Sequence, residues 1–225
     1  MPESFDRTRL SATLRACRML RHELATPLAA AALHLEVAHR AAGRADCAVP
    51  EKTQSGVTTA IAKLEQASSL LDVLTAFGDA HVGEPGILDF GALVIRAARE
   101  VAPELDALGL EFHDPVGAGA VFVSGFCDEL ENAVREALLA ASRWAGKGET
   151  FLRVEDRPGM ASFSFRVPLG ADTAGDMLFR PYSRPGAGFG PFAARWTFEA
   201  HGGSLEGLEN DGFVTVTGSV PRAVS

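Results

Sequence analysis

The feature that most restricts the fold is an apolar repeat near the N-terminus. Leu10, Leu14, Cys17, Arg21, Leu24, Leu28, Ala31, Leu35 and Ala38 recur at alternating intervals of four and three, and only Arg21 is not apolar. Such a repeat draws one stripe along an α-helix, whereas a strand, with its period of two, would scatter it over both faces. The stretch GRADCAVP (residues 43–50) interrupts the repeat with turn-forming residues. A second amphipathic run then places Val57, Ile61, Leu64, Leu71, Leu74 and Phe77 on one face. Two such helices joined by a short loop form an antiparallel hairpin. One hairpin leaves an apolar stripe uncovered, and pairing with a second copy closes a four-helix bundle with two-fold symmetry. The expectation is a homodimer, with the helical part spanning residues 1–82.

After HVGEPG (residues 81–86) the pattern changes. Residues 90–103 and 127–145 read as helices, and 109–113 and 120–124 as short extended pieces. TFLRVE (150–155) and ASFSFRV (161–167) alternate apolar and polar residues around a DRPG turn, the signature of a hairpin. A helix over 190–201 and strands over 203–208 and 212–219 complete the chain. Mixed in this order, the elements predict an α+β domain over residues 83–225, a sandwich of one sheet covered on one face by helices.

Composition narrows the function. A formal net charge of −8 argues against a nucleic-acid binder, which carries a basic patch. No run reaches the roughly 18 apolar residues of a membrane span, and the charged first twenty residues contain no signal-peptide core. Cys17, Cys47 and Cys127 lack metal-ligand spacing and are odd in number, as expected of reduced thiols in a cytoplasm. The six histidines form no cluster along the chain, so no metal site is expected.

The stretch RHELATPL (residues 21–28) lies on the first helix. His22 falls one residue beyond a stripe position, on the flank of the helix. Glu23 adjoins it, Thr26 stands one turn further on the same face, and Pro27 cannot donate to the carbonyl of Glu23. A carboxylate can orient one imidazole nitrogen and leave the other as a nucleophile. A threonine one turn away could hold a water in line with a phosphoryl group on that histidine. The same residues would also serve as an ordinary solvated helix face.

RHELATPL resembles the phospho-acceptor box of two-component histidine kinases, usually H-E-L-R-T-P-L. His22, Glu23, Leu24, Thr26, Pro27 and Leu28 match, and Ala25 replaces the arginine. Downstream, LFRPYSRPGAGFGPFAARWTFEAHGGSLEG (178–207) resembles the kinase run F-E-P-F, G-T-G-L-G-L, E-A-H-G-G. Phe179 and Pro181, then Gly186, Gly188 and Gly190, then Glu199 to Gly203 fall in register. The resemblance covers nearly the whole chain. It implies a bacterial signalling protein with a helical dimerisation and histidine-phosphotransfer domain followed by a Bergerat-type ATP-binding domain.

Binding of ATP and magnesium in that family requires an asparagine on the helix before the hairpin, and an aspartate in a D-x-G-x-G turn after it. Asn132 in ELENAVREA matches by local sequence but lies too far before the strand at Phe151. Counted back from that strand, Ala140 takes the asparagine position and Glu136 stands one turn earlier. RVPLGAD, after the second hairpin strand, lacks the D-x-G-x-G spacing, and the glycine-rich lid is shortened. Losing both contacts removes roughly 1.5–3 kcal/mol each, about 10²-fold or more in affinity. Gly186, Gly188 and Gly190 then serve a tight turn and close packing.

The combined pattern is similar to ChpT-type histidine phosphotransferases, kinase-shaped dimers without a working ATP site. That similarity implies phosphoryl exchange between His22 and receiver-domain aspartates of response regulators or an upstream hybrid kinase, with magnesium supplied by the receiver. No cofactor and no resident metal are expected. Two alternatives stand beside it: an ATP-dependent kinase using Asn132, and a non-catalytic dimer that scaffolds a response regulator.

Overall fold

The computed structural model describes residues 13, 24–38, 40, 53, 55–64, 67, 85–113, 116–117, 119–170, 178–179 and 190–223. The chain divides into two compact units, one spanning Leu14–Ala80, with His81–Ser225 falling in the other.

Within the first unit, residues 24–38 form helix α1 and residues 55–64 form helix α2. Small side chains bring the two together. Pro27, Ala31 and Ala38 of α1 are buried, as are Gly56 and Ala60 of α2. A Cβ on Gly56 would meet the His34 carbonyl at 3.2 Å and the Ala38 methyl at 3.5 Å. The large apolar residues point elsewhere: Leu28, Leu35, Val57, Ile61 and Leu64 are between 38% and 51% exposed. The heptad stripe is therefore split. Its alanines join the two helices, while its leucines line a neighbouring face that this chain leaves uncovered. Alternating steps of three and four straddle the helix axis, so one stripe can serve two neighbours. Leu10, Leu14, Cys17, Leu71, Leu74 and Phe77 lie outside the described residues.

The second unit starts with strand β1 (Gly86–Asp89), which runs antiparallel to β4 (Phe122–Gly125). The linker thus ends in a strand that local composition did not reveal. Asp89 then caps helix α3 (Phe90–Ala107), its carboxylate accepting from the Ala92 N–H at 3.1 Å. The helix continues past Pro103, beyond the end expected from sequence. Strands β2 (Leu110–Phe112) and β3 (Val116–Gly117) both pair in parallel with β5 (Gly148–Arg157). Helix α4 (Cys127–Ser142) precedes β5, and β6 (Met160–Pro168) returns antiparallel to it. Helix α5 (Gly190–Ala200) leads to β7 (Ser204–Asn210) and β8 (Phe213–Pro221). The main sheet runs β2-β5-β6-β8-β7, with β3 beside β5.

Both hairpins follow from their turns. Arg157 faces Met160 across Pro158 and Gly159, whose φ of +76° suits a glycine after proline. Asn210 faces Phe213 across Asp211 and Gly212, both at positive φ, as a type I′ turn requires.

Alternation along the strands sends Leu152, Val154, Phe163, Phe165, Val214 and Val216 to one face. Leu93, Val94 and Ala97 of α3, Leu130, Val134 and Leu138 of α4, and Phe198 of α5 belong to the same core. Between α3 and α4, Arg96 makes a bidentate pair with Glu131 (3.0 and 2.7 Å). The Glu131 carboxylate raises the Arg96 pKa above its ordinary value. Among the described residues this is a mixed sheet with helices on one face, the α+β arrangement expected from the sequence.

Candidate functional site

His22 and Glu23 lie outside the described residues, as do Gly186 and Gly188. Thr26 is exposed on α1, and the neighbouring Pro27 is buried within the helix.

The remaining sequence-selected residues converge on α4 and α5. Asn132, Glu136 and Ala140 succeed one another by four and lie on one side of α4. Ala140 is 2% exposed and offers no oxygen to a metal ion. Asn132 is exposed, and its Oδ1 accepts from Arg135 Nη2 at 2.7 Å. The same nitrogen lies 3.1 Å from Glu136 Oε1. Arg135 was not singled out from sequence, although its place three residues after Asn132 and one before Glu136 brings all three within reach.

The Glu136 side chain is 17% exposed and turns toward the start of α5. A Cβ on Gly190, the first residue of that helix, would coincide with the Glu136 carboxylate. A larger residue at 190 would oblige the Glu136 side chain to swing away from the helix end. A helix N-terminus carries partial positive charge and unsatisfied N–H groups, and favours an anion. Here a carboxylate of the protein itself lies against it. A ligand phosphate approaching the same helix end would meet that negative charge.

The chain beyond β6 is tied to the helix–strand connection before β5. The Gly170 N–H donates to the Trp144 carbonyl at 2.8 Å, the Gly146 N–H to the Pro168 carbonyl at 2.8 Å, and the Leu169 N–H to the Gly212 carbonyl at 2.8 Å. Of RVPLGAD, Ala171 and Asp172 lie outside the described residues.

His201 of EAHGG is 4% exposed. Its Nδ1 lies 2.8 Å from the Thr197 carbonyl, and its Nε2 accepts from the Phe126 N–H at 3.2 Å. With Nε2 accepting, Nδ1 carries the proton and donates. Phe126 is the N-cap of α4 and lacks a side-chain cap. His201 therefore joins the end of α5 to the beginning of α4.

No protein-family model matches the sequence. No curated protein matches it either. The fold has solved counterparts, and it is a histidine-kinase-like fold. The Acinetobacter baumannii histidine kinase AdeS matches with 16% identity and a TM-score of 0.56, over 90% of this chain and 98% of that one. The full-length ShkA structure in complex with AMPPNP matches with 19% identity and a TM-score of 0.58, over 94% of this chain and 46% of that one. The mycobacterial sensor histidine kinase MprB matches with 20% identity and a TM-score of 0.53, over 61% of this chain and 97% of that one.

Proposed function

We propose that the chain is a two-component phosphorelay protein of the ChpT type, carrying a phosphoryl group on His22 and exchanging it with receiver-domain aspartates. The observation that carries this reading is the Glu136 carboxylate against Gly190 at the start of α5. Together with the buried methyl of Ala140, it argues against nucleotide as the source of the phosphoryl group. RHELATPL supports the acceptor role, and the likeness of fold to sensor kinases supports the setting.

In the proposed reaction, the unprotonated nitrogen of His22 attacks the phosphorus of an aspartyl phosphate in line. The N–P bond forms as the P–O bond to the aspartate breaks, and the carboxylate leaves with that electron pair. Glu23 holds the proton on the other ring nitrogen, which keeps the attacking nitrogen free. The receiver supplies the divalent ion that offsets charge on the transferring group, so positioning and electrostatics carry the catalysis. The reverse transfer returns the group to a second receiver.

The uncovered face of Leu28, Leu35, Val57, Ile61 and Leu64 supports a homodimer through a four-helix bundle. The test is transfer from a phosphorylated receiver domain to the protein. Acid-labile, base-stable phosphate should appear on the unmutated chain and be absent from His22→Ala. Failure of every cognate receiver to label His22 would favour the scaffold, and labelling by ATP alone would favour the kinase.

A further inference from the structure

Strand pairing at one edge of the main sheet assembles a group that no spacing in the sequence announces. Glu111 lies in β2, and His113 follows that strand two residues later, so both side chains fall on one face. β5 runs parallel to β2 with Glu149 opposite Glu111. One donor atom from each of Glu111, His113 and Glu149 lies within 4.8 Å of the other two. His113 Nε2 is 4.0 Å from Glu149 Oε1.

The surroundings favour a cation between these groups. Like charges opposite one another destabilise a strand pair. Among the described residues, neither Glu111 nor Glu149 is paired with a lysine or arginine. The imidazole of His113 stacks on Phe151, with ring centroids 5.8 Å apart and planes 28° apart, which limits its rotation. The backbone beneath is pinned. Thr150 Oγ1 donates to the Glu111 carbonyl at 3.2 Å, and the Gly148 N–H to the Gly109 carbonyl at 3.2 Å.

We infer that Glu111, His113 and Glu149 form a surface site for a divalent first-row transition ion, zinc fitting best. An imidazole donor selects such ions, whereas magnesium prefers an octahedral shell of oxygens and water. Zinc takes nitrogen and oxygen donors at about 2.0–2.2 Å in a tetrahedron, which brings donors to about 3.3–3.5 Å from one another. The present separations, up to 4.8 Å, exceed that value, so the carboxylates must close on the stacked imidazole. Glu149 is more than half exposed and has room to turn. Three protein donors leave the fourth position to water. Binding would neutralise the carboxylate pair and add a cross-link between β2 and β5 to their three register pairs. The site belongs to the second unit alone and does not depend on phosphoryl chemistry at His22.

The experiment is a titration of the full chain with zinc chloride against a chromophoric chelator, with magnesium chloride in parallel. One zinc per chain should bind at micromolar free ion, and magnesium should not compete. His113→Ala and Glu149→Gln should each weaken that equivalent by about 10-fold or more. Glu149→Gln preserves size, so its loss cannot be a folding effect. The His113 ring nitrogens should shift in ¹H–¹⁵N spectra on zinc addition. The three cysteines are unchanged in these variants. Zinc binding identical in His113→Ala, Glu149→Gln and the unmutated chain would place the ion elsewhere, on the thiols or another histidine, and overturn the site. So would the absence of binding at about 100 µM zinc, a level at which even a weak three-donor site is occupied.

Discussion

The imidazole of His201 accepts the backbone N–H of Phe126 through Nε2 at 3.2 Å, joining residues 75 apart in the chain. Its other nitrogen donates to the Thr197 carbonyl one turn back on its own helix. Replacing His201 with alanine would remove the ring acceptor of the Phe126 N–H, while the Thr197 carbonyl keeps the backbone N–H of residue 201 at 3.1 Å. A cost of about 1–3 kcal/mol is expected for the lost buried bond. Urea denaturation of His201→Ala should show a lower midpoint with an unchanged slope. Phosphotransfer to His22 at low temperature should persist.

Gly125→Ala tests the same contact from the other side. The added methyl would lie 2.6 Å from His201 Cδ2 and 2.9 Å from Leu130 Cδ1, so the imidazole must move. A loss of about 1–3 kcal/mol is expected from such overpacking. The double variant with His201→Ala should lose less than the sum of the two, because the clash disappears with the ring.

Glu136 provides the nucleotide test. Calorimetry of the unmutated chain with millimolar ATP and magnesium should show little heat, and Asn132→Ala should not alter it. Glu136→Gln removes the negative charge beside Gly190 and should raise any residual nucleotide affinity, with Ala140 still offering no metal ligand. Tight binding lost in Asn132→Ala would instead favour the kinase.

Leu28 is 47% exposed on the uncovered face of the hairpin. Leu28→Asp would place an unpaired charge in the bundle and should shift the protein from dimer to monomer in sedimentation at micromolar concentration. Its far-UV circular dichroism should be largely retained, since Ala31, Ala38, Gly56 and Ala60 still join the two helices. A monomeric unmutated chain would count against the bundle.

At the phosphotransfer site, Glu23→Gln should slow transfer from a phosphorylated receiver by roughly 10²-fold, the usual worth of an acid–base partner. Thr26→Ala should leave transfer nearly intact and reduce hydrolysis of the phosphohistidine. Rapid-quench measurement of the two rates separates these outcomes.

Local chemistry made much of this protein legible without coordinates. The Pro158–Gly159 and Asp211–Gly212 turns need particular backbone angles, so their residues announce the hairpins β5–β6 and β7–β8. The three-and-four repeat likewise implies α1, because helical periodicity is a property of neighbouring residues. Strand β3, of two residues, is too short to display a period, and β1 follows directly on Pro85 and begins at Gly86, whose residue types signal a turn. Which half of the stripe joins α1 to α2 was also hidden, for side-chain size alone does not say which neighbour lies on which side. Only the tertiary structure placed the Glu136 carboxylate against Gly190, 54 positions later in the chain, or Glu149 beside Glu111 and His113. Sequence reports what a residue can do with its neighbours along the chain, whereas strand register and helix packing decide which distant charges meet.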